Sequence, residues 1–188
     1  MTIGFAMCGS FCTFEEVFPI LEQLAQRHNI IPILSHAAAT YDTRFGTALA
    51  HRERLTSICG RPPIDTIPDA EPIGPKKLLD VLVIAPCTGN TLAKLAHGIA
   101  DTPVTMAAKS HLRNARPVLI APSTNDALAA AAENIGRLLA RRHYYFVPYG
   151  QDSPEGKPTS LIADFTKIPQ AIEFAMLGKQ LQPILNRK

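Results

Sequence analysis

Residues Val81 to Leu95 read Val-Leu-Val-Ile-Ala-Pro-Cys-Thr-Gly-Asn-Thr-Leu-Ala-Lys-Leu: an apolar run, a polar turn, then a helical pattern. A β-branched run without polar alternation predicts a strand covered on both faces, as in a parallel sheet flanked by helices. Pro86 has no N–H to give a ladder and ends it. Thr88, Gly89, Asn90 and Thr91 supply a turn and a helix N-terminus, and Leu92, Leu95 and Ala96 form that helix's apolar stripe. Free backbone N–H groups, short hydroxyls and the positive end of a helix dipole converge there, which suits a phosphate.

The pattern recurs. Residues 120–129 align without a gap on residues 84–93, with six of ten positions identical. A third strand-to-helix turn opens the chain as Ile3-Gly-Phe-Ala-Met-Cys-Gly-Ser-Phe-Cys-Thr-Phe. Polar turns of this kind in one parallel sheet all lie at the carboxyl ends of the strands, where open α/β sheets bind ligands.

Strands are predicted over residues 2–8, 30–34, 81–85, 103–107, 117–121 and 144–147. Helices are predicted over 14–28, 41–58, 126–142 and 168–177, besides the one after Thr88. The alternation predicts one α/β domain over residues 1–188, a three-layer doubly wound (Rossmann-like) parallel sheet. The Pro-rich residues 60–76 are expected to form an ordered, functional loop. Residues 150–166, with Pro154, Gly156 and Pro158, are expected to form a mobile polar flap, and the tail to Lys188 to fray.

Composition excludes more than it selects. A net charge of +3 with scattered basic residues and no Trp offers nucleic acid neither a basic stripe nor stacking platforms. Cys8, Cys12, Cys59 and Cys87 lack paired metal-ligand spacing, so they read as reduced thiols of a cytoplasmic protein and no metal is expected. The N-terminal apolar run has no basic region before it and Glu15 and Glu16 just after it, which fits a strand and not a signal peptide. No apolar run approaches the roughly 18 residues a membrane span needs. The turns also lack the Gly-x-Gly-x-x-Gly of a dinucleotide site, and no Gly-Lys-Ser/Thr of a P-loop occurs. Small hydroxyl and amide residues at several turns suit a mononucleotide.

Met-Cys-Gly-Ser at 7–10, Ser35, the run from Ala85 to Asp101 and Ala-Pro-Ser-Thr-Asn at 121–125 together resemble the flavoprotein family of homo-oligomeric flavin-containing cysteine decarboxylases. The match covers roughly residues 2–147. It implies FMN as cofactor and a trimer-based homo-oligomer. Carried over by position, it implies that Gly9, Ser10, Ser35, Pro86, Thr88, Asn90 and Thr91 hold FMN, that Met106, Ala107 and Ala108 border it, and that Asn125 lies beside the substrate. The chain departs from the decarboxylases at 71–74, where Glu-Pro-Ile-Gly stands in place of their histidine stretch. It departs from the prenyltransferase branch in having Met106 where that branch has an arginine.

Residues 71–91, 103–114 and 157–161 resemble a further branch, whose members work beside a dehydrogenase-type companion in the mother cell of a spore-forming bacterium. That resemblance implies an oxidoreductase acting on a small cyclic dicarboxylate. Such a substrate wants cations and hydrogen-bond donors, for which Lys109, Arg113, Lys157, Thr159, Ser160 and Asn125 are the candidates. Lys109 and Arg113, four apart, suit a solvated helix face equally well. His36, His97 and His111 can carry protons near neutral pH, although His97 also fits a helix end, and Cys87 fits a small core residue. An FMN-dependent decarboxylase and a non-catalytic partner of the dehydrogenase are the alternatives.

Overall fold

A computed structural model describes residues 1–186; of the tail expected to fray, Leu185 bridges Tyr149 and the Asn186 N–H donates to the Tyr149 carbonyl, while Arg187 and Lys188 lie outside the described residues. The three strands that lead into the polar turns form the middle of the sheet. They are β1 (Thr2–Met7), β3 (Val81–Cys87) and β4 (Val118–Thr124), and β2 (Asn29–Leu34) lies outside β1. Parallel pairing runs β2–β1–β3–β4, and β5 (Tyr144–Phe146) continues it beside the first half of β4. Burial of every residue of β3 accounts for its unbroken apolar pattern. Its ladder with β4 shifts register between Ile84 and Cys87, where Pro86 has no N–H to donate.

The doubly wound α/β architecture is as the alternation predicts, with helices on both faces. They are α1 (Phe14–Ala25), α2 (His36–Thr40), α3 (Ala48–Cys59), α4 (Ile67–Ala70), α5 (Gly89–His97), α6 (Pro103–Leu112), α7 (Ala132–Leu139) and α8 (Ile168–Met176). No helix among the described residues is long and apolar enough to cross a membrane.

Several element assignments change. Residues 103–107 are not a strand but the first half of α6. Thr102 and Thr105 form a reciprocal capping box there, and Pro103 takes the first helical position, where its missing N–H costs least. The helix expected from residue 41 starts only at Ala48, capped by the Thr47 hydroxyl; Gly46, with φ of 132°, turns the chain before it. The helix expected from 126 starts at Ala132, because the Asp126 carbonyl accepts from both Ala129 and Ala131 and holds residues 126–131 in turns.

The flap is shorter than expected and the sheet is mixed. Leu161–Ala163 forms β7, which pairs antiparallel with Ser123 and Thr124 of β4 and with the short β6 (Tyr149–Gly150). Residues 60–76 are ordered, as expected, and hold α4 and a 3-10 turn over Glu71–Ile73, both packed against α6.

His111, near the end of α6, is buried. Its Nε2 lies 3.0 Å from the Pro117 carbonyl, and Nδ1 has no partner among the described residues. Burial pushes its pKa down to about 4, against the opposing pull of the Pro117 carbonyl. The unfolded chain therefore takes up this proton near pH 6.5, well before the folded chain does. The stabilisation is complete above about pH 7 and is lost progressively as pH falls towards 4. Between pH 7 and pH 5 this group alone should cost about 2 kcal/mol of stability. Urea unfolding at the two pH values should show that loss in the native chain and its absence in His111→Gln; equal pH slopes would contradict it.

Candidate functional site

The strand order 2-1-3-4-5 reverses direction between β1 and β3, so the loops leaving these two strands part and open a crevice at their carboxyl ends. A cavity of about 740 Å³ lies there. Gly9 and Ser10 follow β1, Thr88, Gly89 and Asn90 follow β3, and Ser123 to Asp126 follow or end β4. The Ser10 and Ser123 hydroxyls hydrogen-bond at 2.7 Å and tie the first turn to the third.

Each turn is built locally. The Thr88 hydroxyl caps α5 by accepting from the Thr91 N–H, and donates to the Thr91 hydroxyl at 3.2 Å. That capping leaves the Asn90 amide on the cavity wall with no protein partner among the described residues. Gly9 is held close, since a Cβ there would lie 3.2 Å from the Ala37 Cβ. Gly89 faces the third turn, where a Cβ would come within 2.8 Å of Asp126 Oδ1 and 2.9 Å of Thr124 Oγ1.

The opposite wall is the flap. Asp152, Lys157, Ser160, Leu161 and Ile162 line it. The Thr159 hydroxyl donates to the Asn125 carbonyl at 2.6 Å, and the Leu128 N–H donates to the Thr159 carbonyl at 2.9 Å, stapling the flap to the turn after β4. Lys157 Nζ donates to Asp152 Oδ2 at 3.3 Å and is otherwise well exposed. Burial raises the Asp152 carboxyl, but hydrogen bonds from Ser160, its own backbone and Lys157 outweigh this and hold it below the usual carboxylate range.

Of the residues singled out from sequence, Gly9, Ser10, Thr88, Asn90, Asn125, Lys157 and Ser160 line this one cavity. Ser35, Pro86 and Thr91 stand behind it: Ser35 caps α2, Pro86 is buried in β3, and the buried Thr91 hydroxyl donates to the Cys8 sulfur at 3.4 Å. Met106, Ala107 and Ala108 do not line it, because the segment is helix α6 and not a strand ending at the crevice. Lys109 and Arg113 are separated from it for the same reason, and line a second cavity with Leu95, Ile99 and Tyr144. His97 packs away at the end of α5, between the Ala93 carbonyl and Arg137, and His111 is in the core. Cys8 and Cys87 are buried, which raises both thiols, Cys8 to about 11, so neither is poised as a thiolate.

Sequence reasoning missed Phe11 and Phe45, the aromatic walls, and Asp126 and Asp152, the carboxylates. Phe45 lies on a loop far from any motif, and no local pattern marks it. Asp126 had a signal: in the ten-residue repeat it stands opposite Asn90.

Short hydroxyls, a free amide, a helix N-terminus and two aromatic rings around one crevice fit a mononucleotide with a flat ring. Comparison with known proteins agrees with that reading. The flavoprotein family model matches residues 1–168. The B subunit of dipicolinate synthase from Bacillus subtilis (strain 168) is 45% identical over 184 residues, covering 97% of this chain and 92% of that protein. The crystal structure of the corresponding dipicolinate synthase B subunit from Bacillus halodurans superposes with a TM-score of 0.91 at 44% identity, covering 100% of this chain and 96% of the other. The FMN-dependent cysteine decarboxylase SpaF superposes with a TM-score of 0.71 at 25% identity, over 94% and 95% of the two chains.

Proposed function

This chain belongs to the flavoprotein family, and from that premise we propose that it works as the flavin-binding, B-type subunit of a two-subunit dipicolinate synthase. In that role it joins a dehydrogenase-type A subunit in forming pyridine-2,6-dicarboxylate from a cyclic dihydrodipicolinate-type precursor, in the cytoplasm of a sporulating mother cell. The observation that carries this reading is the length of the likeness to the dipicolinate synthase B subunits, which spans the turns and the flap alike. The looser likeness to a cysteine decarboxylase favours a decarboxylase less, since residues 71–74 hold no histidine.

The residues fit FMN. Ser10, Thr88, Asn90 and the N-terminus of α5 offer donors to its polar parts, while Phe11 and Phe45 offer apolar surface to its ring. Bound there, FMN supplies a two-electron acceptor. The chain supplies placement. Lys157 offers a cation and Asn125 an amide to a substrate carboxylate. A substrate carboxylate competes with Asp152 for Lys157, so the 3.3 Å ion pair is the resting arrangement.

The test is an absorption spectrum with chromophore release, followed by dipicolinate formation by the A subunit in the presence and absence of this chain. A yellow protein that yields FMN and raises the A subunit's output supports the reading. A protein that takes up no added FMN and leaves output unchanged defeats it. Lys157→Met should weaken pyridine-2,6-dicarboxylate binding about tenfold, read by the perturbation of the flavin spectrum, because a charge-assisted hydrogen bond is worth about 1.5–3 kcal/mol. Unchanged binding would remove Lys157 from the site.

A further inference from the structure

The cavity holds a carboxylate that the reading above leaves without a task. Asp126 lines the crevice one residue after Asn125, on the turn that leaves β4. Its Oδ1 accepts from the Thr124 hydroxyl at 2.5 Å, while Oδ2 has no protein partner among the described residues. The backbone around it is fixed, since its carbonyl accepts from two N–H groups and Leu128 is tied to the flap. Gly89 is what admits the carboxylate: any side chain at 89 would meet Oδ1 at 2.8 Å.

The repeat sharpens the point. Thr88 and Thr124 are equivalent, and so are Asn90 and Asp126. Both copies present a threonine hydroxyl and, two residues on, a polar side chain to the same cavity. In the first copy the side chain is a neutral amide, which can meet an anion. In the second it is a carboxylate, which repels one and accepts protons. The other carboxylate on the wall, Asp152, already holds Lys157 and Ser160.

We propose that Asp126 is the proton acceptor of this site: its free Oδ2 takes a proton from the ring carbon next to the C=N of a cyclic imine dicarboxylate. In that step, on the imine protonated at nitrogen by solvent, the C–H bond breaks, the O–H bond of the Asp126 carboxyl forms, the C–H electron pair becomes the C=C bond, and the C=N pair returns to the ring nitrogen, giving the neutral enamine. No oxidant is consumed. The step is therefore measurable apart from any overall oxidation. A fixed base within reach contributes about 10²–10⁴ in rate. Thr124 acts as a positioning residue, orienting the carboxylate through Oδ1. The proposal rests on the cyclic dicarboxylate reading above.

The experiment is hydrogen–deuterium exchange into 1-piperideine-2,6-dicarboxylate in D2O, followed by NMR, with the full chain saturated with FMN and the A subunit left out. Pyridine-2,6-dicarboxylate binding is measured on the same samples. The native chain is expected to speed exchange above the buffer rate, and Asp126→Asn to lower that enhancement at least about a hundredfold. Binding of pyridine-2,6-dicarboxylate is expected to be retained, and Asp126→Glu to recover part of the exchange. Native-like exchange in Asp126→Asn overturns the proposal. So does an exchange loss that Asp126→Glu does not recover and that comes with lost binding, which would make Asp126 structural. No enhancement by the native chain, with pyridine-2,6-dicarboxylate still bound, overturns the proposal and leaves the functional reading standing. No binding at all defeats both.

Discussion

Asn90→Asp is expected to weaken FMN binding about a hundredfold, because it sets a fixed negative charge where an anionic cofactor enters. The side chain stands at the second position of α5, on the cavity wall, with no protein partner among the described residues to neutralise a new charge. A like charge opposite a bound anion repels it, although at the exposed Asn90 position solvent screens most of that cost. The amide donor is lost at the same time, at about 1.5–3 kcal/mol when its acceptor is charged. The change should leave folding intact, since Asp is as acceptable as Asn in the first turn of a helix and complements its dipole. Fluorescence titration of FMN into the apoprotein measures the effect, with Asn90→Ala as the milder control. Equal affinities for the native and Asp forms would take the first turn of α5 out of the site.

The second large effect concerns the scaffold. Phe5→Ala should lower stability by about 3–5 kcal/mol, the usual range for removing a buried aromatic ring. Phe5 is fully buried on β1, in register with Pro32 of β2 and Val83 of β3. Parallel neighbours on both sides and helices on both faces leave little freedom to collapse into the void. The consequence reaches function, because β1 carries Gly9 and Ser10 and β3 carries Thr88 to Asn90. Urea unfolding reads the loss. A cost below about 1 kcal/mol, well under the usual range for such a truncation, would mean that the core repacks around position 5.

Much of this could be read in the residues. The central strands announced themselves through unbroken apolar runs, since a strand covered on both faces has no polar side to show. The repeat of residues 84–93 in 120–129 made two of the turns equivalent before their positions were known. Other features were ambiguous for local reasons. Pro103-Val-Thr-Met-Ala resembles a short strand by composition, and only the Thr102–Thr105 capping box and contacts with α4 and α5 make it helix. The flap's return as an antiparallel strand depends on the exposed edge of β4 at Ser123 and Thr124, which no local pattern displays.

The central strands, their parallel burial and the polar chemistry of the turns are settled by the residues alone, because they follow from periodicity and from the short-range demands of proline, glycine and caps. Which of those groups share a space is settled by the folded chain. Lys109 and Lys157 look alike in sequence; the helical turn of α6 carries one to another cavity, and the flap brings the other to the crevice. Phe45, Asp126 and Asp152 join Ser10 and Asn90 only because the sheet reverses its winding between β1 and β3. A site at such a reversal is built from chain ends that are distant in sequence, so its membership is a property of the topology.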